Sequence, residues 1–244
     1  MPEDSTSTGC QSVAVLMPAL DELPNLRTLL PDIHRQLANA TSGLTAIYVI
    51  VETSPSDYLL EALEQLRAKV VSRKPTDSFG DAIRTGIGAV DPEFDYVIVM
   101  DADGSHRPET IPRLLEAAGH CDVAIASRYT PGGSTANGPV LTVMSRALNL
   151  GYRIVLGLEC SDISTNFKLY RRADLQAITL QCQAFDIVEE ILFRLRKLHN
   201  NQLVIAEIPD HFAQRNFGET KRKLGPFIVA YFVTLIRLRF SREP

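Results

Sequence analysis

The chain has no tryptophan, only four cysteines, no surplus of basic charge and no apolar run long enough to span a bilayer. Each shortage excludes something. Cys10, Cys121, Cys160 and Cys182 are widely spaced and form no C-x-x-C pair, so neither a zinc site nor a disulfide framework is indicated, and a reducing compartment is the simpler setting. With 25 Lys and Arg against 29 Asp and Glu, the net charge of −4 argues against a nucleic-acid partner, because phosphate backbones reward a basic footprint. Residues 1–11 (MPEDSTSTGCQ) have no basic segment followed by an apolar one; they read as a disordered Ser/Thr tail, not a secretory signal, and a cytoplasmic location is expected. Two glycine signatures of phosphate binding are also missing, G-x-x-x-x-G-K-[ST] and a G-x-G-x-x-G after a strand.

What is present describes an ordinary globular chain: 244 residues, 45% apolar and 22% charged, with 14 Gly and 14 Pro. A chain of that length buries roughly 70% or more of its unfolded surface and needs no staple to hold a core. The charge is uneven. From Arg194 onward ten basic residues face four acidic ones, a net of +6, which leaves −10 on the first 193 residues. Such a split points to an anionic partner, a phosphate group or a membrane surface, for the C-terminal part.

Apolar runs of strand length alternate with segments of helical period. Strands are expected at 12–17, 44–51, 69–72, 95–100, 122–126, 167–170 and 203–208. Helices are expected from the acidic start at Asp21 and Glu22, and at 58–68, 77–90, 108–118, 140–156 and 187–199. A loop rich in Gly, Pro, Ser and Thr covers 129–139. Repeated βα units of this kind predict an α/β fold, a mostly parallel central sheet covered by helices, with ligands at the carboxyl ends of the strands. The last segment, 225–240, holds an apolar run of eleven residues (226–236) followed by Arg237, Arg239 and Arg242. It is too short to cross a hydrocarbon core of roughly 30 Å; it reads either as an amphipathic helix packed on the core or as one lying in a membrane interface.

The sharpest chemical signal is VIVMDADGSHRPE, where an apolar strand delivers Asp101 and Asp103 to its carboxyl end. Two carboxylates at i and i+2 on a turning chain can share one cleft and hold Mg²⁺ or Mn²⁺, leaving positions open for phosphate oxygens. A haloacid-dehalogenase-like phosphatase, with Asp101 as nucleophile, shares the spelling D-x-D-G-[ST]. Its motif belongs on a first strand, however, and needs a second acidic pair that is missing here. An EF-hand is excluded because Pro112 stands where its bidentate Glu belongs.

Five motifs in order resemble the polyprenyl-phosphate (dolichol-phosphate) mannose synthases, within family 2 of the nucleotide-sugar glycosyltransferases and the GT-A fold. Pro18-Ala19-Leu20-Asp21-Glu22 resembles the P-x-Y-N-E loop, and Asp101-Ala102-Asp103-Gly104-Ser105-His106 resembles D-A-D-L-S-H. Ser127-Arg128-Tyr129 with Gly132-Gly133 resembles S-R-Y-x-x-G-G. The stretch 161–171 (SDISTNFKLYR) resembles S-D-x-T-x-x-F-R-x-Y-R, and Glu207-Ile208-Pro209 with Arg215, Gly218, Glu219, Thr220 and Lys221 resembles E-V-P-x-x-F-x-x-R-x-x-G-x-S-K-L. The resemblance implies one GT-A domain over 12–224 and an inverting glycosyltransferase that moves a sugar, mannose by family expectation from GDP-mannose, to a polyprenyl or dolichyl phosphate. It implies a donor site at Pro18, Leu20, Glu22, Val51, Glu52, Thr53, Asp101, Ala102, Asp103, Arg215 and Lys221. The metal would sit on Asp101, Asp103 and Ser105, and Arg128 and Ser145 would meet the acceptor phosphate. Asp101, Asp103, Arg128, Arg215 and Lys221 form the implied catalytic set. A lipid acceptor further implies a peripheral position on the cytoplasmic membrane face, helped by the helix at 225–244 and in some relatives by a small membrane-protein subunit.

The sequence departs from the family at several points. Leu20 and Asp21 replace its Tyr and Asn, and Val51-Glu52-Thr53 stands where the family has V-D-D, with one acid lost. Leu141 or Thr142 occupies the place of an Arg one helical turn before Ser145, with Arg146 nearby as a compensating cation. Three alternatives therefore stay open: another donor with a soluble small-molecule acceptor, the phosphatase, and a non-catalytic nucleotide-sugar binder.

Overall fold

The computed structural model describes residues 10–213. The expected tail at 1–11 and helix at 225–244, with Arg215 and Lys221, fall wholly or almost wholly outside that range. The chain begins with strand β1 (Val13–Pro18), helix α1 (Leu23–Ala40), β2 (Thr45–Val51), α2 (Asp57–Gln65), β3 (Lys69–Ser72), α3 (Phe79–Ala89) and β4 (Tyr96–Val99). A 3-10 turn (Pro108–Thr110) leads into α4 (Ile111–Ala117). Then come β5 (Val123–Ser127), β6 (Ser134–Thr135), α5 (Pro139–Leu156), β7 (Lys168–Arg171), α6 (Arg172–Ala177), α7 (Ile187–Leu198), β8 (Ile205–Pro209) and β9 (His211–Phe212).

Seven strands form one sheet in the order β3-β2-β1-β4-β7-β5-β8. The β1, β2, β3 and β4 pairs are parallel, as is β5 with β8, while β7 runs antiparallel to both β4 and β5. The β-branched runs of β1, β2, β4 and β5 lie between two helix layers, which is why they are almost continuously apolar. Their residues alternate between two cores: Ala14, Leu16, Tyr48, Ile50, Val97 and Val99 face α3 and α7, while Val13, Val15, Met17, Ile47, Val49 and Ile98 face α1 and α4. Each such side chain contributes about 1.5–3 kcal/mol on burial, so the sheet centre is fixed far more firmly than the loops at its ends. Gly86 lets α3 approach β1 closely, since a Cβ there would lie 2.5 Å from Leu16 Cδ1.

The expected strands and helices are present with shifted ends. Helix α2 stops at Gln65 because Arg67 turns into the left-handed region at φ 57°. Three features were outside the pattern reading: α6, the small parallel pair β6 and β9, and the reversed direction of β7. An apolar run has the same period whichever way it points, so the direction of β7 follows from the long excursion of chain before it and not from its own residues.

The turn before α3 is held by Asp81, buried at the helix start. It accepts hydrogen bonds from the Thr76 amide (3.2 Å), the Thr76 hydroxyl and Arg84 Nη2 (2.6 Å), while its own amide donates to Ser78 Oγ at 3.0 Å. Burial alone would push its carboxyl up; the bonds from Thr76, Arg84 and Ser78 outweigh that and hold it at about 2. Because the folded value lies below the unfolded value of about 3.9, this carboxylate's stabilisation is present above pH ~4 and is lost as pH falls toward 2. Asp81→Ala is expected to lower stability by about 2 kcal/mol at neutral pH and to flatten the stability profile between pH ~4 and ~2, read by urea denaturation across that range.

Candidate active site

Backbone register gathers the functional loops. Parallel pairing of β1 with β4 sets Leu16 opposite Val99, and the Met100 amide donates to the Leu16 carbonyl at 3.1 Å, so the loops that follow, 18–22 and 101–106, emerge side by side. Strand β7 enters between β4 and β5 at the same edge, bringing the turn 161–167 against both.

The Asp-x-Asp turn is tightly organised. Gly104 takes φ 81°, a left-handed conformation that a side chain would strain. The Asp103 carboxylate, buried, accepts from the Ser105 amide (3.0 Å) and hydroxyl (2.5 Å) through Oδ1. Asp101 Oδ1 accepts from Asn166 Nδ2 at 3.0 Å. His106 Nδ1 accepts the Asp101 amide at 3.0 Å, and its ring stacks on Phe167 and meets Phe212 edge-on. With Nδ1 as acceptor, the neutral ring carries its proton on Nε2, which stands 3.8 Å from Asp101 Oδ2. His106 therefore orders the turn. The Ala213 amide donates to the Ser105 carbonyl at 3.0 Å, so the described chain ends against this turn. Arg215 and Lys221 lie outside the described residues.

Arg128 follows β5 and is locked in place. Asp162, wholly buried, accepts its backbone amide (2.8 Å), Nε (2.7 Å) and Nη2 (2.6 Å), and Nη2 also donates to Ser164 Oγ at 2.9 Å. Burial works against the guanidinium charge, but the hydrogen bonds and charge of Asp162 outweigh it and raise the group above its ordinary value, with smaller pulls from Tyr129 and Asp101. The Arg128 guanidinium also lies over the Tyr129 and Phe212 rings, at 5.0 and 5.3 Å. Behind it, Glu207 on β8 accepts from the Ser127 hydroxyl (2.7 Å), the Ser161 amide (2.8 Å) and hydroxyl (2.7 Å) and the Asp162 amide (3.1 Å). Gly133 is required by close approach, since a Cβ there would sit 2.4 Å from the Ser127 carbonyl.

Lys168 is fully buried at the foot of the same turn and donates to the carbonyls of Ile163 (2.9 Å) and Thr165. Burial pulls its ammonium down, against the attraction of Asp162 and Glu189.

On the other side, Leu20, Glu22, Val51 and Glu52 line one small cleft, with Pro18 buried at the end of β1. Two residues that pattern reading missed brace the strand ends and loop beside it. Arg73, buried, donates to the carbonyls of Val51 (2.9 Å), Ile50 (3.1 Å), Ala19 and Asp77 (3.2 Å), tying the ends of β1 and β2 together. Asp77 accepts the Thr53 amide (2.7 Å) and hydroxyl (3.3 Å). No local signal marks Arg73, which sits between Ser72 and Lys74 after a strand that itself begins with Lys69; Asp77, in a turn of Thr, Asp and Ser before a helix, looks like an ordinary cap.

Among the sequence-predicted residues, the structure brings the 18–22 loop, Val51 to Thr53, Asp101 to Ser105 and Arg128 to the carboxyl edge of the sheet. Ser105 faces Asp103 and is wholly buried. Ser145 lies half-buried on α5, whose neighbour Arg146 sits over the Tyr129 ring at 5.2 Å. Leu141 is exposed, and the Thr142 hydroxyl turns back to the carbonyls of Asn137 and Gly138. Asp122, Asp174 and His199 form a separate group able to hold a metal ion, with ligand atoms within 4.8 Å of one another. It stands before β5, at the end of that strand opposite Arg128. Its two carboxylates address different ring nitrogens, Asp174 facing Nε2 at 2.9 Å and Asp122 facing Nδ1 at 3.5 Å, which is the geometry of an imidazole bridge.

Residues 14–179 match the glycosyl transferase family 2 model, and the chain belongs to that family. An undecaprenyl-phosphate mannosyltransferase of Micrococcus luteus is 37% identical over 169 residues, covering 67% of this chain and 68% of that protein. A polyprenol monophosphomannose synthase of Mycolicibacterium smegmatis is 29% identical over 235 residues, covering 90% and 84%. A dolichol-phosphate mannosyltransferase of Pyrococcus furiosus is 31% identical over 234 residues, 93% of this chain and 63% of that protein. The fold matches glucosyl-3-phosphoglycerate synthase of Mycobacterium tuberculosis, solved with Mn²⁺, UDP and glucosyl-3-phosphoglycerate, at a TM-score of 0.69 and 18% identity over 96% of this chain and 81% of that one. The protein is thus a glycosyltransferase with the GT-A architecture expected from its motifs, and the phosphatase reading of Asp101 falls away.

Breaking the Arg128 pair leaves a buried charge uncompensated. Asp162→Asn is expected to destabilise the fold by about 3 kcal/mol, measured as a lowered urea midpoint at unchanged slope.

Proposed function

We propose that the enzyme transfers mannose from GDP-mannose, with inversion, to a polyprenyl phosphate, using Mg²⁺ or Mn²⁺ at Asp101 and Asp103. The observation that carries this reading is the convergence of two oriented carboxylates and one locked guanidinium at a single sheet edge, in a family member whose relatives include enzymes named for polyprenyl-phosphate mannosylation.

The donor set suits a hard cation. Both groups are carboxylates, and each has one oxygen fixed by a neighbour, Asn166 for Asp101 and Ser105 for Asp103, so their orientation is set in advance. When bound there, such an ion neutralises the charge that develops on the leaving nucleoside diphosphate. Arg215 and Lys221 are proposed to add fixed positive charge to the same phosphates. Leu20, Glu22, Val51, Glu52 and Thr53 are proposed to receive the nucleoside, on a wall braced by Arg73 and Asp77.

An acceptor phosphate is an anionic nucleophile at neutral pH, so it needs positioning and no general base. Asp162 fixes the plane of the Arg128 guanidinium by holding Nε and Nη2, and a fixed plane is what directs contact with a phosphate. Ser145 and Arg146, on the adjoining helix α5, are proposed to meet the same phosphate, Arg146 from its place over the Tyr129 ring. Among the described residues no helix is long and apolar enough to cross a membrane. A peripheral position on the cytoplasmic face, with help from residues 225–244 and from a small membrane subunit, is part of the same proposal.

Incubating the protein and Mn²⁺ with a panel of nucleotide sugars, with and without polyprenyl phosphate, tests it. Release of GDP from GDP-mannose with formation of lipid-linked mannose is the expected result. Turnover with another donor or only with a soluble acceptor overturns the specificity, and binding without turnover overturns catalysis. Asp103→Ala is expected to lower transfer by about 100-fold or more at ordinary metal concentration. Deleting residues 225–244 is expected to reduce the membrane-bound fraction on flotation; unchanged partitioning overturns the role given to that segment.

A further inference from the structure

Lys168 is wholly buried, yet nothing in the chemistry proposed above uses it. Interiors almost never hold a lysine unless it is paired, because a desolvated ammonium is costly. Its Nζ serves backbone, donating to the Ile163 carbonyl at 2.9 Å and to the Thr165 carbonyl. These two residues flank Ser164, whose hydroxyl accepts from Arg128 Nη2 at 2.9 Å. One step before Ile163 stands Asp162, which holds the Arg128 guanidinium; one step after Thr165 stands Asn166, which holds Asp101. The ammonium therefore grips the turn between the two side chains that orient the acceptor cation and the first carboxylate of the Asp-x-Asp turn.

The charged and titratable groups that face Lys168 come from three places. Asp162 and Cys160 lie on the stretch leading into β7, Glu189 on α7, and Arg128 at the end of β5. Burial pulls the ammonium below its ordinary value; Asp162, Glu189 and Cys160 oppose that, and Arg128 adds to it. Two other buried groups close by move the opposite way. Burial pushes the Cys160 thiol up to about 12 and the Tyr170 hydroxyl above its ordinary value, so neither competes for a proton in the range where Lys168 loses its own. The motif that residues 161–171 resemble carries Arg where this chain has Lys168, and a guanidinium keeps its charge under conditions where a buried ammonium does not. A neutral amine still has two N–H groups, but it gives up the charge-assisted strength of both bonds.

We propose that Lys168 is a positioning residue for both halves of the site. While charged, it holds the Ile163 and Thr165 carbonyls so that Asp162 presents Arg128 and Asn166 presents Asp101; losing that charge in alkaline solution loosens both together. The proposal rests on the roles given above to Arg128 and Asp101, whereas the grip of Lys168 on the turn does not. Stability and activity then part company. Because the folded value lies below the unfolded value of about 10.4, only the unfolded chain keeps this proton in the interval between them, and the contribution of Lys168 to stability rises with pH there. Transfer falls over the same interval. A lysine with a merely structural role would move both in one direction.

The test compares the full chain with its Lys168→Arg and Lys168→Met variants, using Mg²⁺, GDP-mannose and polyprenyl phosphate between pH ~7 and ~10. In the parent, kcat is expected to fall about tenfold or more along an alkaline limb that Lys168→Arg moves out of this range. Lys168→Met is expected to lower kcat about tenfold or more and to raise the acceptor KM across the range, whereas loss of folded protein alone lowers kcat at unchanged KM. Hydrogen exchange of the amides in 161–167, corrected for its intrinsic pH dependence, is expected to be about tenfold faster in the parent than in Lys168→Arg at pH ~10, and equal in the two at pH ~7. An alkaline limb shared by the parent and Lys168→Arg overturns the proposal, as does exchange in the turn that matches between them at every pH, or a Lys168→Met variant with the parent's kcat and KM. Should Lys168→Arg fail to fold, the parent alone decides: exchange at 161–167 that does not rise relative to β2 as pH climbs overturns the proposal. If the parent transfers no mannose to any polyprenyl phosphate, the proposed function fails, and the exchange comparison still decides whether Lys168 holds the turn.

Discussion

The arrangement of this site depends on one buried turn, residues 161–167, and on the bidentate pairing of Asp162 with Arg128 within it. The turn feeds β7 into the sheet against its neighbours' direction, and that reversal puts its residues at the carboxyl ends of both β4 and β5. Asn166 then reaches Asp101 while Asp162 reaches Arg128, four residues apart along the chain. The carboxylate that begins the Asp-x-Asp turn and the cation assigned to the acceptor are thus indexed to one short piece of backbone. A buried ion pair is a poor source of net stability, because desolvation offsets most of its Coulomb gain. Its value here is geometric, since Glu207 and Lys168 hold the turn from either side, through the Ser161 and Asp162 amides and the Ile163 carbonyl.

Much of the architecture was legible in the chain. Continuous β-branched runs such as 45–51 need helices on both faces, and the alternation of runs with amphipathic segments forces parallel crossovers. Asp101 and Asp103 stood out because two acids ending an apolar strand have few structural explanations. The turn 161–167 was visible only as a string resembling a family motif. Its partners lie 34 and 65 residues away in sequence, and no local pattern encodes which acid holds which cation. Arg73 escaped for the opposite reason: all its contacts are to backbone carbonyls, which carry no residue identity to be read.

Part of the charge pattern of the chain can be followed within the described residues. Asp101 and Asp103 sit on the acidic first part, where a cation and a diphosphate would be handled together. The one long helix in the described part without an acidic side chain is α5, and one of its two cations, Arg146, lies over the Tyr129 ring. Near neutrality overall therefore conceals a local separation, with two carboxylates on the turn after β4 and a helix without acids, bearing Arg146 and Arg153, on the far side of β5.

The pairing of Thr53 with Asp77 couples two loops of the donor side. The acid absent from the loop after β2 reappears in space from the loop after β3, bonded to both the amide and the hydroxyl of Thr53. The loops after β2 and β3 are therefore tied together at Thr53, and a substitution at position 53 or 77 is felt on both.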